Sequence, residues 1–224
     1  MTRSDELNGP VPVDLSHQRC EYENTPLDDD QMRDSPFDQF QDWYQQATSA
    51  QVLEPNAMVI STVTADGRPA QRTVLLKYYD VNGFVFFTNY DSRKAGQMAE
   101  NPHVSLHFLW LPLQRQVEIN GVAAKVSTAE SLKYFALRPR GSQLGAWVSQ
   151  QSSVISSRSL LEAKFNELKQ KFAHGEIPLP SFWGGFRVTP SRFEFWQGQS
   201  SRMHDRFEYL PSGEGRWIRQ RLSP

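Results

Sequence analysis

Cysteine is almost absent: Cys20 is the single thiol among 224 residues. One cysteine excludes an intrachain disulfide framework and fits a reducing, cytoplasmic setting. Long apolar runs are missing too. None approaches the roughly 20 residues that a membrane span needs, so no membrane partner is expected. The opening residues Met1-Thr2-Arg3-Ser4-Asp5-Glu6 lack the basic-then-apolar layout of a secretory signal. Net charge is close to nil, −1 from 24 basic and 25 acidic residues, which leaves no global field to recruit nucleic acid. There is no Gly-x-Gly-x-x-Gly turn, Walker loop, Gly-x-Ser-x-Gly elbow or His-Glu-x-x-His helix. No Cys/His/carboxylate set has zinc-like spacing, so no metal is expected. A Rossmann-type dinucleotide site and a hydrolytic constellation are therefore not expected either.

What remains reads as one soluble globular core, with 38% hydrophobic and 22% charged residues. Residues 1–35 are polar, carry Pro10, Pro12 and Pro26, and include the run Asp28-Asp29-Asp30. By composition they form a flexible N-terminal arm, and residues 36–224 form a single domain. Ser35-Pro36 offers a helix start, and Phe37, Phe40, Tyr44 and Ala47 follow at helical spacing to about Gln51. Strands are expected over 57–64, 71–79, 84–89, 103–110, 115–126, 182–189 and 192–197, with a final hairpin from Arg206 to Leu222. Asn82-Gly83 marks a hairpin turn. A short helix is expected from Asp91 and another from Ser127 to about Arg138, and a longer one from Ser157 towards Gly175. In the last of these, Leu161, Phe165, Leu168 and Phe172 make an apolar stripe that reads as core packing. Pro139-Arg140-Gly141 reads as a break, with Ser142 inside it. Antiparallel strands joined by tight turns, with helices inserted, argue for a mainly β fold: a barrel with helical decoration.

Two sets of anion-binding groups stand out. Arg72, Lys77, Arg93 and Lys94 lie on or beside adjoining strands, and cations in the first turn of a helix oppose its dipole unless a phosphate sits there. Tyr134, Arg138 and Ser142 supply donors suited to a phosphate monoester. Near the C-terminus, Arg202, His204 and Arg206 would share one face of an extended chain, while a helix would align only the arginines. Either way they are expected to converge beside Trp196, around something anionic and flat. Phosphate sites without a nucleophile and its base suggest redox or carrier chemistry by a phosphorylated cofactor.

The spacing Glu194-Phe195-Trp196-Gln197, then Arg202-Met203-His204-Asp205-Arg206, closely resembles the C-terminal signature of pyridoxine (pyridoxamine) 5′-phosphate oxidases. The resemblance extends from about Ala57 to Pro224. It is carried by Gln71-Arg72-Thr73-Val74-Leu75-Leu76-Lys77, Phe87-Thr88-Asn89, Ser92-Arg93-Lys94 and Arg115-Gln116-Val117. Tyr134-Phe135, Arg138-Pro139-Arg140, Ser142-Gln143, Gly145-Ala146, Gln150-Gln151-Ser152-Ser153 and Phe182-Trp183-Gly184-Gly185 extend it. The resemblance implies an FMN-binding split β-barrel and a homodimer with flavin between subunits. It implies oxidation of pyridoxamine or pyridoxine 5′-phosphate to pyridoxal 5′-phosphate, with dioxygen reduced to hydrogen peroxide. By resemblance, FMN would be lined by Arg72, Thr73, Val74, Leu75, Leu76, Lys77, Phe87, Thr88, Arg93, Lys94, Gln116, Gln151, Ser152, Trp196 and Arg206. Lys77, Tyr134, Arg138 and Ser142 would hold the substrate phosphate, with Arg202 and His204 over its ring. Arg19 and Tyr22 read either as the family's substrate lid or as part of a disordered tail. Cys20 and the acidic run depart from the family pattern there. An FMN enzyme for another small substrate, or a flavin carrier without turnover, are the alternatives. Arg138, Ser142 and the Arg-Met-His-Asp-Arg motif discriminate, because a carrier needs no second phosphate site.

Overall fold

The computed structural model describes residues 13–18 and 20–224. Helix α1 (Pro36–Ser49) starts where the sequence predicts, with the Ser35 hydroxyl accepting from the Asp38 amide and proline at the first helical position. Then follow β1 (Ala57–Val63), β2 (Pro69–Leu75), β3 (Tyr78–Asp80), β4 (Gly83–Asn89), α2 (Arg93–Glu100), β5 (His103–Trp110) and β6 (Arg115–Lys125). The chain continues with α3 (Thr128–Leu137), α4 (Arg140–Val148), α5 (Arg158–Lys171), β7 (Trp183–Gln197), β8 (Asp205–Pro211) and β9 (Trp217–Leu222).

The nine strands among the described residues join one antiparallel sheet, seven of them in the order β2-β1-β5-β6-β7-β4-β3. β8 and β9 branch from the far end of β7. The first half of β7 pairs with β4 and its second half with β8, while β6 runs along its other side. That long strand is what splits the sheet. The expectation of two strands here is corrected: Pro190 and Ser191 do not end the strand, because a register shift opposite Asn120 and Gly121 absorbs them. Conversely, the single strand expected over 71–79 is two. The last β1–β2 pair is Ala57 with Leu75, and Tyr78 then pairs with Val85 of β4, so the chain changes partners at Leu76 and Lys77. Between β3 and β4, Gly83 has φ +130° and lies so close to the Val188 carbonyl that a Cβ there would overlap it.

The inner face of the sheet wraps α1. Phe40 and Trp43 meet Phe84, Phe108, Trp110 and Phe195 edge-on or tilted at centroid distances of 5.0–6.0 Å. Burying each such ring contributes about 2–3 kcal/mol, so this aromatic plug ties α1 firmly to the sheet. A smaller cluster, Phe135, Leu144, Ala146, Ile177 and Trp183, joins α3 and α4 to the start of β7. α5 rests on its outside with no buried residue; Phe165, Leu168 and Phe172 are only half-covered. The expected core stripe is therefore a one-sided cover.

The break expected at 139–141 is a second correction. Pro139 does end α3's path, but with φ −52° it is also the N-cap residue of α4, whose first amides return to its carbonyl. Of the stretch read as an arm, residues 1–12 and Arg19 lie outside the described residues. Residues 24–33 are held against the barrel: Leu27 and Met32 are buried, and Arg219 donates to the Met32 carbonyl at 2.7 Å. Composition reads the polarity of this stretch and not its two apolar anchors. No helix among the described residues is long and apolar enough to cross a membrane.

Candidate functional site

A cavity of about 830 Å³ opens where β2, β4, α2, α3 and α4 meet. The edge strand β2 supplies Arg72, Thr73, Val74 and Leu75, and Lys77 follows at the strand switch. β4 supplies Phe87 and Thr88, α2 supplies Lys94, and the α3–α4 corner supplies Tyr134, Arg138 and Ser142. Gln151 closes one side. The missed helix α4 matters here, because Ser142 projects from its first turn. Phe87, Tyr134 and Trp183 stack at 4.0 and 5.4 Å to make a flat apolar wall. Gly185 permits that wall: a Cβ there would sit 2.9 Å from the Phe87 ring.

Four cations line the cavity, Arg72, Lys77, Lys94 and Arg138, and no described carboxylate does. Each buried one is held by neutral groups. Lys94 Nζ donates to Thr88 Oγ1 at 2.8 Å and Gln151 Oε1 at 2.7 Å. Burial, and then the nearby Arg72, pull its pKa from 10.5 down to about 8. Arg72 donates to Thr62 Oγ1 at 2.6 Å and Gln97 Oε1 at 3.1 Å, and burial and Arg93 lower its pKa as well. Arg138 lies 4.6 Å over the Trp183 ring, and its Nη1 is buried with no hydrogen-bond partner among the described residues. Burial lowers its pKa too. A buried orphan donor in a native fold calls for an acceptor, and a ligand oxygen in this cavity would supply one. Uncompensated cations around an apolar wall fit a planar ring carrying phosphate, the chemistry of FMN and of a pyridoxine 5′-phosphate.

The remaining predicted residues lie elsewhere. Leu76 is buried in the main core. Arg93 is exposed at the start of α2, where its amide donates to Ser152 Oγ at 3.2 Å. Gln116 sits opposite Trp196, and Trp196 opposite Arg206, in one row across β6, β7 and β8. Of Arg202, His204 and Arg206, expected to converge beside Trp196, two lie against it: His204 stacks on its ring and Arg206 is its partner across β7 and β8. Residues 200–202 form one turn in which Ser201 and Arg202 have φ of 54° and 61°, so neither an extended chain nor an α-helix carries the motif. Arg202 is exposed. His204 stacks on Trp196 at 4.6 Å and accepts from the Gln199 amide through Nδ1. The anion beside Arg206 is the protein's own: Arg206 Nε donates to Glu194 Oε1 at 2.8 Å, which raises the arginine's pKa. Sequence reasoning missed Glu194 as a site residue, although its alternation with Phe195 already put it on the face of Trp196. Tyr22 meets both Trp196 and His204 edge-on, at 6.0 and 5.7 Å. Gly198 makes room for it, since a Cβ would come within 2.7 Å of the Tyr22 ring.

None of Gln116, Trp196, Arg202, His204 or Arg206 lines the cavity. Counted over the sheet from its β2 wall through β1 and β5, Gln116 on β6 is three strand steps away, Trp196 on β7 four and Arg206 on β8 five. At roughly 4.8 Å per step the path over the sheet to Trp196 is about 19 Å. The two halves face the same way. Thr73 pairs with Val59, Val59 with His107, His107 with Glu118, and Glu118 with Glu194, and paired residues share a face.

Comparison with known proteins agrees with this geometry. A family model described as pyridoxamine 5′-phosphate oxidase matches residues 44–172, and one described as pyridoxine 5′-phosphate oxidase C-terminal dimerisation region matches residues 183–224. A pyridoxine/pyridoxamine 5′-phosphate oxidase of Crocosphaera subtropica is 64% identical over 214 residues, covering 95% of this chain and 100% of the relative. One of Rippkaea orientalis is 60% identical, with the same coverage. Among solved structures, PhzG from Burkholderia lata, in complex with tetrahydrophenazine-1-carboxylic acid, superposes with a TM-score of 0.82 at 29% identity, covering 87% of this chain and 95% of that one. A pyridoxamine 5′-phosphate oxidase-related, FMN-binding protein of Nostoc punctiforme shares the fold, with a TM-score of 0.69 at 15% identity, 86% of this chain and 100% of that one. The architecture is thus the FMN-binding split barrel.

Proposed function

Because this chain belongs to the pyridoxamine 5′-phosphate oxidase family, we propose that it oxidises pyridoxamine or pyridoxine 5′-phosphate to pyridoxal 5′-phosphate. Bound FMN would supply the two-electron acceptor for this oxidation, with dioxygen, reduced to hydrogen peroxide, as the final oxidant. The observation that carries this reading is the cavity with four cations, no described carboxylate and a buried orphan donor on Arg138.

Within it the chain's residues divide into two grips. Arg72 and Lys94, with Arg93, Gln151 and Ser152 beside the start of α2, hold the cofactor phosphate, and Thr73, Val74, Leu75, Phe87 and Thr88 line its ring. Lys77, Tyr134, Arg138 and Ser142 hold the substrate phosphate. That remote grip fixes the position of the reacting carbon, and positioning alone supplies several kcal/mol of barrier lowering. Arg202 and His204 orient the substrate ring, and Gln116, Trp196 and Arg206 complete the flavin's surroundings. With Nδ1 accepting from Gln199, the neutral His204 imidazole carries its proton on Nε2, available to a ring substituent.

A second copy reconciles the distance between these halves. The sheet face that carries Thr73 at one side and Trp196 at the other is not the face that covers α1. A two-fold partner docked by the same face would set its own Trp196 and His204 over this copy's β2 edge. The active species is therefore a homodimer whose sites are each built from both chains. The match of residues 183–224 to a dimerisation region supports this. The test is to purify the protein, record its flavin spectrum and assay peroxide from pyridoxamine 5′-phosphate. A yellow protein that releases FMN and forms peroxide is expected. Bound FAD, or no peroxide from a flavin-loaded protein, overturns the reading.

A further inference from the structure

Asp205 sits inside the C-terminal motif, is 6% exposed, and has no part in either phosphate grip. Its carboxylate accepts three hydrogen bonds from three separate parts of the chain. Oδ2 accepts from the Leu27 amide at 2.9 Å and from Gln199 Nε2 at 2.8 Å. Oδ1 accepts from Arg221 Nη1 at 2.6 Å. A carboxylate with this many donors orders its surroundings more firmly than any neutral pair.

Two of these donors lead to groups that face the substrate in the reading above, on which this inference rests. Leu27 belongs to the segment that carries Tyr22. That segment is held again by Asn24, which donates to the Gly198 carbonyl at 3.0 Å, and by Thr25, whose carbonyl accepts from Gln197 at 2.9 Å and Gln199 at 3.2 Å. Beyond Asn24 the chain reaches Tyr22 within two residues, against Trp196 and His204. Gln199 is the second lead. Its side chain is tied to Asp205, while its backbone amide fixes His204 Nδ1 at 3.1 Å.

We infer that Asp205 is a positioning residue that sets two substrate-facing groups at once: Tyr22 through Leu27, and the His204 imidazole through Gln199. It touches neither substrate nor cofactor. One buried carboxylate thereby couples the placement of the N-terminal segment to the orientation of the imidazole. This explains why a stretch that is polar by composition lies ordered from Asn24 onward.

The test uses the FMN-loaded dimer with Asp205→Ala and Asp205→Asn. Amide hydrogen exchange is read over residues 20–33 and over β4 and β7, and steady-state kinetics are run with pyridoxamine 5′-phosphate. Loss of a buried, charge-assisted anchor predicts roughly ten- to hundredfold faster exchange over 20–33 in Asp205→Ala, with β4 and β7 unchanged. KM for the phosphorylated substrate rises by a similar factor while FMN retention is unaltered. Asp205→Asn keeps an oxygen for Leu27 and Gln199 but loses the charge and turns an amide NH2 toward Arg221, so it restores part of the protection and of the KM and falls between the wild type and Asp205→Ala. Unchanged exchange over 20–33 overturns the inference, and so does exchange that accelerates equally throughout the barrel. Should Asp205→Ala not fold, Gln199→Ala removes the same link to His204 and one hold on Thr25, and it must show the same local pattern. The exchange readout needs no turnover, so a failure of the proposed reaction is distinguishable from a failure of the inference.

Discussion

Replacing Lys94 with methionine should make the flavin-free protein more stable and the flavin-binding protein useless. Lys94 is 9% exposed, and its ammonium has only neutral partners, Thr88, Gln151 and Ser92. Burial, with the nearby Arg72, brings its pKa from 10.5 down to about 8. At 1.36 kcal/mol per unit, keeping it charged destabilises the empty fold by about 3 kcal/mol. Methionine fills the same channel without the charge. Thr88 and Gln151 retain their own hydrogen bond at 3.1 Å, so little is orphaned. Urea unfolding of FMN-stripped protein at pH 7 should show Lys94→Met more stable by up to about 3 kcal/mol. The pH dependence has a definite sign. Below about pH 8 both folded and unfolded states carry the charge and the full difference is seen; between 8 and 10.5 only the unfolded state does, so the wild type gains stability as pH rises and the gap closes. FMN affinity should move oppositely. Loss of a charge-assisted contact to phosphate predicts roughly ten- to hundredfold weaker binding, read by flavin fluorescence. Wild-type affinity should itself decline above about pH 8, where the empty site gives up the proton that the phosphate needs. A Lys94→Met protein that is less stable without flavin, or that binds FMN normally, refutes the reasoning.

Arg138→Leu should leave the protein yellow while lowering kcat/KM for the phosphorylated substrate roughly ten- to hundredfold, mostly through KM, because the orphan Nη1 donor disappears. Arg138→Lys should not restore it, since an ammonium cannot reproduce the flat stacking on Trp183; full rescue by lysine would refute the assignment. Gly198→Ala should displace Tyr22 and raise KM with flavin content unchanged; an unaltered KM would mean that Tyr22 plays no part in substrate capture.

Much of the architecture is legible in the chain because local chemistry and tertiary demand agree. Ser35-Pro36 caps α1, the alternation of Phe193 and Phe195 with Glu194 and Trp196 gives the two faces of β7, and the basic residues at 72, 77 and 94 fall at one cavity. Disagreement arises where one residue serves two elements. Pro139 terminates α3 and starts α4, so reading it only as a breaker hides the helix that presents Ser142. Pro190 belongs to an uninterrupted strand because β7 bulges at Ser191: Asn120 pairs with Arg192 and Gly121 with Pro190, so the extra residue is absorbed between neighbouring pairs of β6, a register that only the pairing reveals. The motif misleads for the opposite reason. Spacing puts Arg202, His204 and Arg206 on one face of an extended chain, and the two arginines on one face of a helix, but the left-handed backbone at Ser201 and Arg202 is irregular, and Glu194 neutralises Arg206 from a neighbouring strand. The order of residues 24–33 depends on Asp205, Arg219 and Arg221, almost the whole chain away.

The central claim is that each site joins one copy's cavity to the other copy's C-terminal motif. Its most direct test is to mix two inactive proteins, Lys94→Met, defective in the cavity, and Arg202→Leu, defective in the motif, and allow their subunits to exchange. In a mixed dimer one site then has both intact halves and the other has neither. Random exchange predicts recovery of about a quarter of wild-type peroxide formation per site, from half the dimers being mixed and half their sites intact. No recovery from a mixture shown to contain mixed dimers would contradict the account, because each site would then lie within a single chain.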